Sequence, residues 1–285
     1  MRVGGFNSVP VRARAVASAW GKASGCIYAL DPSHAQTFLV DGNVSISSAC
    51  GIYVNSSSAD ALHENGNSGS IIASTIGVVG DYSGSNFTPT PTTGIARFSD
   101  PLASVPAPTP ASGCAHPIGH AYSPGTYCGG ITIHGNGTYT FAPGLYTLLG
   151  GGFTASGNLT FTGDGVTFYN SFDATHAYGG ISLHGTVKTT FSAPTTGPQA
   201  GILFFQDRRV PVGSAPSDFG GTNSQVYTGA LYFPTTGISY KGTPSLDAAT
   251  IMVGWTLDFR GDTKIIDYLL LPGGGGPLRS AVLVE

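Results

Sequence analysis

A short phrase returns through the second half of the chain: an apolar residue, a hydroxyl residue (Asp in one copy), a second apolar residue, one variable position, then glycine. It reads ITIHG at Ile131–Gly135, FTASG at Phe153–Gly157, ISLHG at Ile181–Gly185, ISYKG at Ile238–Gly242 and LDFRG at Leu257–Gly261. Three copies follow a glycine pair: Gly129-Gly130, Gly151-Gly152 and Gly179-Gly180. Some neighbouring copies are roughly twenty residues apart, and insertions disturb the remaining intervals. A strand-length unit of this kind cannot bury its apolar side alone. Stacking one unit on the next does bury it, so the pattern predicts a solenoid.

Composition agrees with an all-β chain. Only 9% of the 285 residues are charged, while Gly (43) and Pro (19) are abundant. Few stretches of ten residues escape glycine, proline or β-branched clusters, so helical patterning is scarce. A surface of hydroxyls and amides in place of Lys and Glu suits a secreted or envelope protein. The net charge of −3 argues against a nucleic-acid partner, which needs clustered cations. Arg12 and Arg14 are the only basic pair near the start, and Arg208-Arg209 is the only adjacent one. No apolar run reaches the ~20 residues that span a bilayer. The opening residues lack the continuous apolar core of a signal peptide, so an export signal or anchor is expected to lie upstream or to have been removed.

Along the chain, residues 11–85 carry a looser version of the repeat, including TFLVDG and SIIASTIGVVG. Residues 86–117 differ: FTPTPTTGIARFSDPLASVPAPTPASG holds six prolines in 27 residues. This segment is expected to be extended and to lie outside the stack as a strap or linker. From residue 118 onward the coils become regular. Cys26, Cys50, Cys114 and Cys128 contain no zinc-like spacing, and their even number favours disulfides in an oxidising compartment. Three connectivities are open; Cys26–Cys50 and Cys114–Cys128 are favoured because each pair flanks a coherent segment.

Particular words then carry a resemblance. SGCIYALDP (Ser24–Pro32), ACGIYVNSSSADAL (Ala49–Leu62), DPLASVPAP (Asp100–Pro108), PGTYCGGITI (Pro124–Ile133), APGLYTLLGGGF (Ala142–Phe153), GDGVTFY (Gly163–Tyr169), FSAPTTGPQAGILFFQDR (Phe191–Arg208) and GALYFP (Gly229–Pro234) resemble the large C-terminal region of TadG-like proteins. These belong to the tight-adherence (Flp-type) pilus machinery of bacteria. The resemblance implies a right-handed parallel β-helix of the pectin-lyase-like type, exposed in the periplasm, at the cell surface or on the pilus. It implies pilus or envelope proteins, and surface glycans, as partners. Ala249-Thr250-Ile251 departs from it, with no cysteine where many relatives would carry a late one.

The 15 acids are dispersed, with no Asp-Asp or Asp-x-Asp, whereas glycoside hydrolysis needs two carboxyls ~5–9.5 Å apart. Asp207, Arg208 and Arg209 form the densest polar cluster. They are candidates for a lyase base beside carboxylate-binding arginines, and the plainer reading is an ion pair that closes the coil after the apolar strand Gly201–Phe205. Asp173 and His176, in a loop that interrupts the regular coils, are candidates for ligand binding. His134 and His184 share the variable position of the phrase, and the other copies supply no third metal ligand there. His116 and His120 would pair only on a helix, which Pro117 and Gly119 oppose. Pro272–Pro277 lacks the features of a phosphate cradle. Tyr139, Phe141, Tyr146, Phe161, Phe168 and Tyr169 are expected to stack inside the solenoid. A flat threonine array is disfavoured by irregular spacing.

The chain is therefore expected to be one all-β domain over 1–285, a right-handed parallel β-helix with a Pro-rich strap; the alternative is an antiparallel β-sandwich or jelly roll. No cofactor or metal is expected. The function expected is a non-catalytic structural or adhesive surface module, with a polysaccharide lyase or hydrolase as the alternative.

Overall fold

Each regular copy of the recurrent phrase is the first half of a strand that turns a corner at its glycine. In Ile131–Phe141, Ile131 and Ile133 point inward while Thr132 and His134 are exposed. Phe153–Gly163 and Ile181–Ser192 repeat this arrangement in residue-for-residue parallel register. The corner demands glycine for two reasons at Gly157. Its φ is +124°, and a Cβ there would lie 2.0 Å from the carbonyl oxygen of Gly135 in the neighbouring coil. Only a residue without a side chain lets coils stack there at the ~4.8 Å strand spacing.

The computed structural model describes residues 16–21, 25–66, 69–222, 224–242, 245–248, 250–261, 264–267 and 280–284. Pro272–Pro277, Arg12, Arg14 and Ala249 lie outside these residues. The described chain forms a right-handed parallel β-helix of three faces. The first face holds the phrase itself, the second continues from its glycine (Thr138–Phe141 and equivalents), and the third comprises strands such as Gly144–Leu149 and Val166–Ser171. Ladder pairings among the stacked strands are parallel throughout, unlike those of a sandwich or jelly roll.

Winding order departs from sequence order. On the third face the strands run Gly125–Cys128, Gly144–Leu149, Val166–Ser171, Ile202–Gln206, the end of Ser224–Phe233, then Thr250–Gly254. The next strand is Gly25–Ala29, followed by Gly51–Val54, Ile76–Val78 and Thr92–Thr93. These ten rungs span roughly 43 Å. The N-terminal coils thus stack on the C-terminal ones, with Leu257–Gly261 paired to Phe38–Gly42 and Lys264–Asp267 to Ser45–Ser48. From Gly25 the described coils start in the middle of the rod, wind to one pole, cross to the other, and wind back. Val16–Gly21 and Ser280–Val284 form a separate antiparallel pair.

The crossing is made by the strap. Part of the expected 86–117 segment belongs to the stack, because Phe87–Thr88 pairs with Ile71-Ile72 and Thr92–Thr93 with Gly77-Val78. Short extended stretches between prolines suffice for a two-residue rung. The strap is residues 94–117. It leaves at Ile95, whose N–H donates to Val78 O (3.3 Å), and at Phe98, whose N–H donates to Asn55 Oδ1 (3.2 Å). Further along, Tyr232 OH donates to Asp100 Oδ2 (2.5 Å), Arg208 Nη2 to the carbonyls of Leu102 (2.8 Å) and Val105 (3.0 Å), and Thr126 Oγ1 to Ala111 O (2.7 Å). Cys114–Cys128 anchors its far end with a Cα–Cα distance of 5.5 Å; Cys26–Cys50 joins two stacked coils at 5.6 Å.

Two apolar layers result. The interior is largely aromatic, and one file crosses the junction without a break: Phe219–Tyr240–Phe259–Phe38, with successive centroids 5.4, 5.8 and 5.4 Å apart. A second layer lies outside the helix, between the third face and the strap, and includes Tyr28, Leu102, Tyr169, Phe205 and Tyr232. Tyr169 therefore departs from the expectation of interior stacking. It follows inward-facing Phe168 on a strand, so period two sends it outward, where the strap buries it. Tyr139 is only partly buried, at the pole.

Candidate functional site

The strap covers the third face and leaves the first open. The phrase explains what the first face presents: its apolar positions point inward, and its hydroxyl and variable positions make two outward rows. One row reads Thr132, Thr154, Ser182, Asp218, Ser239, Asp258, Leu39, His63, Ser83. The other includes His134, Ser156 and His184, and beyond Gly220 it continues through Lys241, Arg260, Asp41 and Asn65. Asp41, Asp60, Asp218 and Asp258 are far apart in sequence, yet all lie on or beside the middle of this face, near the junction between the two ends of the chain. The sequence hid this convergence because a neighbour of residues 257–261 is 38–42.

Within this region Asp258 and Asp218 are each paired with a cation. Arg260 Nε donates to Asp258 Oδ1 (2.7 Å), and Lys241 Nζ lies 3.8 Å from Asp218 Oδ2. The hydrogen bond and charge of Asp258, with Asp41 adding to the field, raise the Arg260 pKa above its ordinary value. Asp218 Oδ1 and Ser239 Oγ, neighbours in one row, are buried without a hydrogen-bond partner among the described residues. Gly220 opens space beside them: a Cβ there would sit 3.1 Å from Asp218 Oδ1 and 3.3 Å from His184 Nδ1. On the other side of Asp258 lies a cavity of about 220 Å³ lined by His34, Gln36, Leu39, Thr256, Asp258 and Arg260.

Asp60, His63 and Ser83 adjoin this cavity through Gln36, whose Nε2 donates to Asp60 Oδ2 (3.3 Å). Ser83 Oγ donates to Asp60 Oδ1 (2.5 Å) and lies 2.8 Å from His63 Nδ1, itself 3.0 Å from Asp60. Burial would raise the Asp60 carboxyl, but the hydrogen bonds from Ser83, His63 and Gln36 outweigh it and hold the pKa below the usual range. The geometry is not a nucleophile relay. Ser83 and Asp60 share the same ring nitrogen, whereas a relay places the nucleophile and the carboxylate on opposite nitrogens.

The residues singled out from sequence lie elsewhere. Asp207 is 3% exposed. It accepts from Ser171 Oγ (2.7 Å), the Arg209 N–H (2.9 Å) and Arg209 Nη2 (2.6 Å), which closes the coil after Ile202–Gln206. Arg208 turns the other way: its Nε donates to Tyr232 OH (2.6 Å), and its guanidinium lies over the Phe205 and Tyr232 rings while holding the strap. The adjacent arginines thus serve different partners. Asp173 and His176 form a local turn in which Asp173 Oδ1 accepts from the N–H groups of Thr175 and His176, with His176 Nδ1 2.9 Å away. The bonds from Thr175 lead in holding this exposed carboxyl well below its usual range. His134 and His184 flank Ser156 in one row, and His134 Nδ1 lies 2.6 Å from Ser156 Oγ. His120 packs on Tyr139 at the pole, the rings tilted by 32° with centroids 4.3 Å apart.

Sequence reasoning missed Asp60, His63, Ser83, Asp218 and Asp258. The available signal was the phrase itself, since LDFRG and FLVDG both place an Asp at an outward position. Among the described residues no group of three or more His, Cys, Asp or Glu side chains is placed to hold a metal ion, and no helix is long and apolar enough to cross a membrane. No protein-family model matches the sequence, and comparison with curated proteins and with solved structures returns no match either.

Proposed function

We propose that this chain is a non-catalytic structural and adhesive module, exposed outside the cytoplasm, that binds an extended polar ligand such as a surface glycan along its first face. The observation that carries this reading is the pair of outward rows, which presents hydroxyl, imidazole and paired charged groups at regular intervals along the rod. A rod tied by two disulfides and a strap supplies a rigid support for such a face. The resemblance to TadG-like proteins favours the tight-adherence pilus as its setting, with pilus or envelope proteins as further partners. Incubation with pectins, alginates and host glycans tests the reading. Saturable binding without product release, weakened by Lys241→Gln and Arg260→Gln, is expected.

One observation favours the alternative, a carbohydrate-active enzyme. Asp218 and Asp258 stand in the same row with Ser239 between them. Two rungs place them ~9.6 Å apart along the ladder, at the upper end of the ~6.5–9.5 Å used by inverting glycosidases. Release of oligosaccharide that Asp258→Asn abolishes would replace the adhesive reading with this one.

A further inference from the structure

A cavity of about 580 Å³ opens on the third face, where the strap leaves the rod. Its walls include Tyr28 and Tyr53 from successive coils and Ile95, Arg97 and Phe98 from the strap. The tyrosine rings are stacked, with centroids 5.6 Å apart and planes 19° from parallel, and Phe98 stands edge-on to both. Gly77 lets the strap approach: a Cβ there would lie 2.9 Å from Ile95 Cδ1 and 3.1 Å from the Tyr53 ring.

Arg97 distinguishes this cavity from an ordinary apolar crevice. It is exposed, and its guanidinium makes one long hydrogen bond, from Nη1 to Asn55 O at 3.4 Å. Among the described residues no carboxylate pairs with it, and none lines the cavity. Arg208, Arg209 and Arg260 are all engaged by side-chain partners. Arg97 therefore keeps its paired donors for something else, and a carboxylate is the group such a fork grips with two parallel bonds. Aromatic walls beside that cation suit a ring with a flat apolar face.

We propose that this cavity binds a six-membered ring carrying a carboxylate, supplied either by a sugar acid or by an aromatic acid. The volume falls within the ~300–1,000 Å³ of small-molecule sites. This site is separate from the first face and does not depend on the adhesive reading.

Calorimetric titration with trigalacturonate, sialyllactose and 4-hydroxybenzoate, each against its uncharged counterpart (the methyl esters of the two sugar acids, and 4-hydroxybenzamide), tests it. At least one acid should bind saturably, and its uncharged counterpart about tenfold or more weakly. Arg97→Gln should weaken acid binding by a similar factor while leaving the melting temperature of the free protein unchanged. Tyr53→Leu should weaken binding of the acid and its counterpart alike. The acid that binds identifies the source of the ring. Failure of every acid to bind sinks the proposal, as does acid binding that Arg97→Gln leaves intact. If Lys241→Gln and Arg260→Gln abolish acid binding and Arg97→Gln does not, the acid sits on the first face; the cavity proposal then fails while the adhesive reading stands.

Discussion

Replacing Asp207 with Asn isolates a single buried charge. Burial pushes this carboxyl up, and the hydrogen bonds from the Arg209 side chain and N–H, from Ser171 and from Tyr169 more than reverse that, holding the pKa at about 2 against an ordinary 3.8. Such a depression corresponds to about 2–2.5 kcal/mol of stability at neutral pH. The Arg209 side chain is 70% exposed, so solvent screening trims this to about 1.5–2 kcal/mol. Asn keeps the size of the group but removes its charge. The expected result is a melting temperature lowered by roughly 2–4 °C at pH 7. Because the folded pKa is depressed, the contribution is fully present above the ordinary 3.8 and disappears as pH falls toward 2. The gap between wild type and Asp207→Asn should therefore be constant from pH 5 to neutrality and close below it. Thermal melts by circular dichroism across that range provide the assay. A pH-independent gap would refute the electrostatic account. An unchanged melting temperature accompanied by loss of a measured activity would make the cluster a site.

The strap and its anchor yield two further expectations. Leu102 is fully buried between the strap and the third face, so Leu102→Ala should cost about 2–4 kcal/mol. It should also expose residues 94–113 to limited proteolysis; unaltered digestion would show that the hydrogen bonds from Arg208 hold the strap by themselves. Replacing Cys114 and Cys128 together with Ala opens a loop of about 15 residues and should lower stability by about 3 kcal/mol, read as a melting temperature below that of the wild type without reductant, with the remaining response to reductant due to Cys26–Cys50.

What was legible in the sequence was local. The alternation in ITIHG and ISLHG foretold inward and outward positions, and the invariable last residue marked the repeat that Gly157 punctuates. Neighbouring cysteines foretold their own pairing, and the prolines foretold the strap, although Phe87 and Thr92 proved to be rungs. Three things were not legible, each because it rests on contacts between distant segments. Nothing in LDFRG says that it stacks on FLVDG, so the gathering of Asp41, Asp218 and Asp258 stayed hidden. Tyr169 reads as one more core aromatic unless the strap is known to cover its face. Arg208 looks like the twin of Arg209 until Tyr232 and Leu102 are seen beside it.

The interleaved winding also dictates an order of assembly. Phe38 rests on Leu257, so one stacking face of the first described coil finds its partner about 220 residues further along the chain, and closing so long a loop is entropically costly. The coils after residue 118 can stack locally as they emerge, and so can those of residues 25–93 on one another, but the outer stacking face at Phe38–Gly42 stays uncovered until Leu257–Gly261 exists. A chain delivered slowly from its N-terminus leaves that face open through most of the interval. Synthesis or transport from the N-terminus therefore makes edge-to-edge self-association through this open face a hazard of the topology.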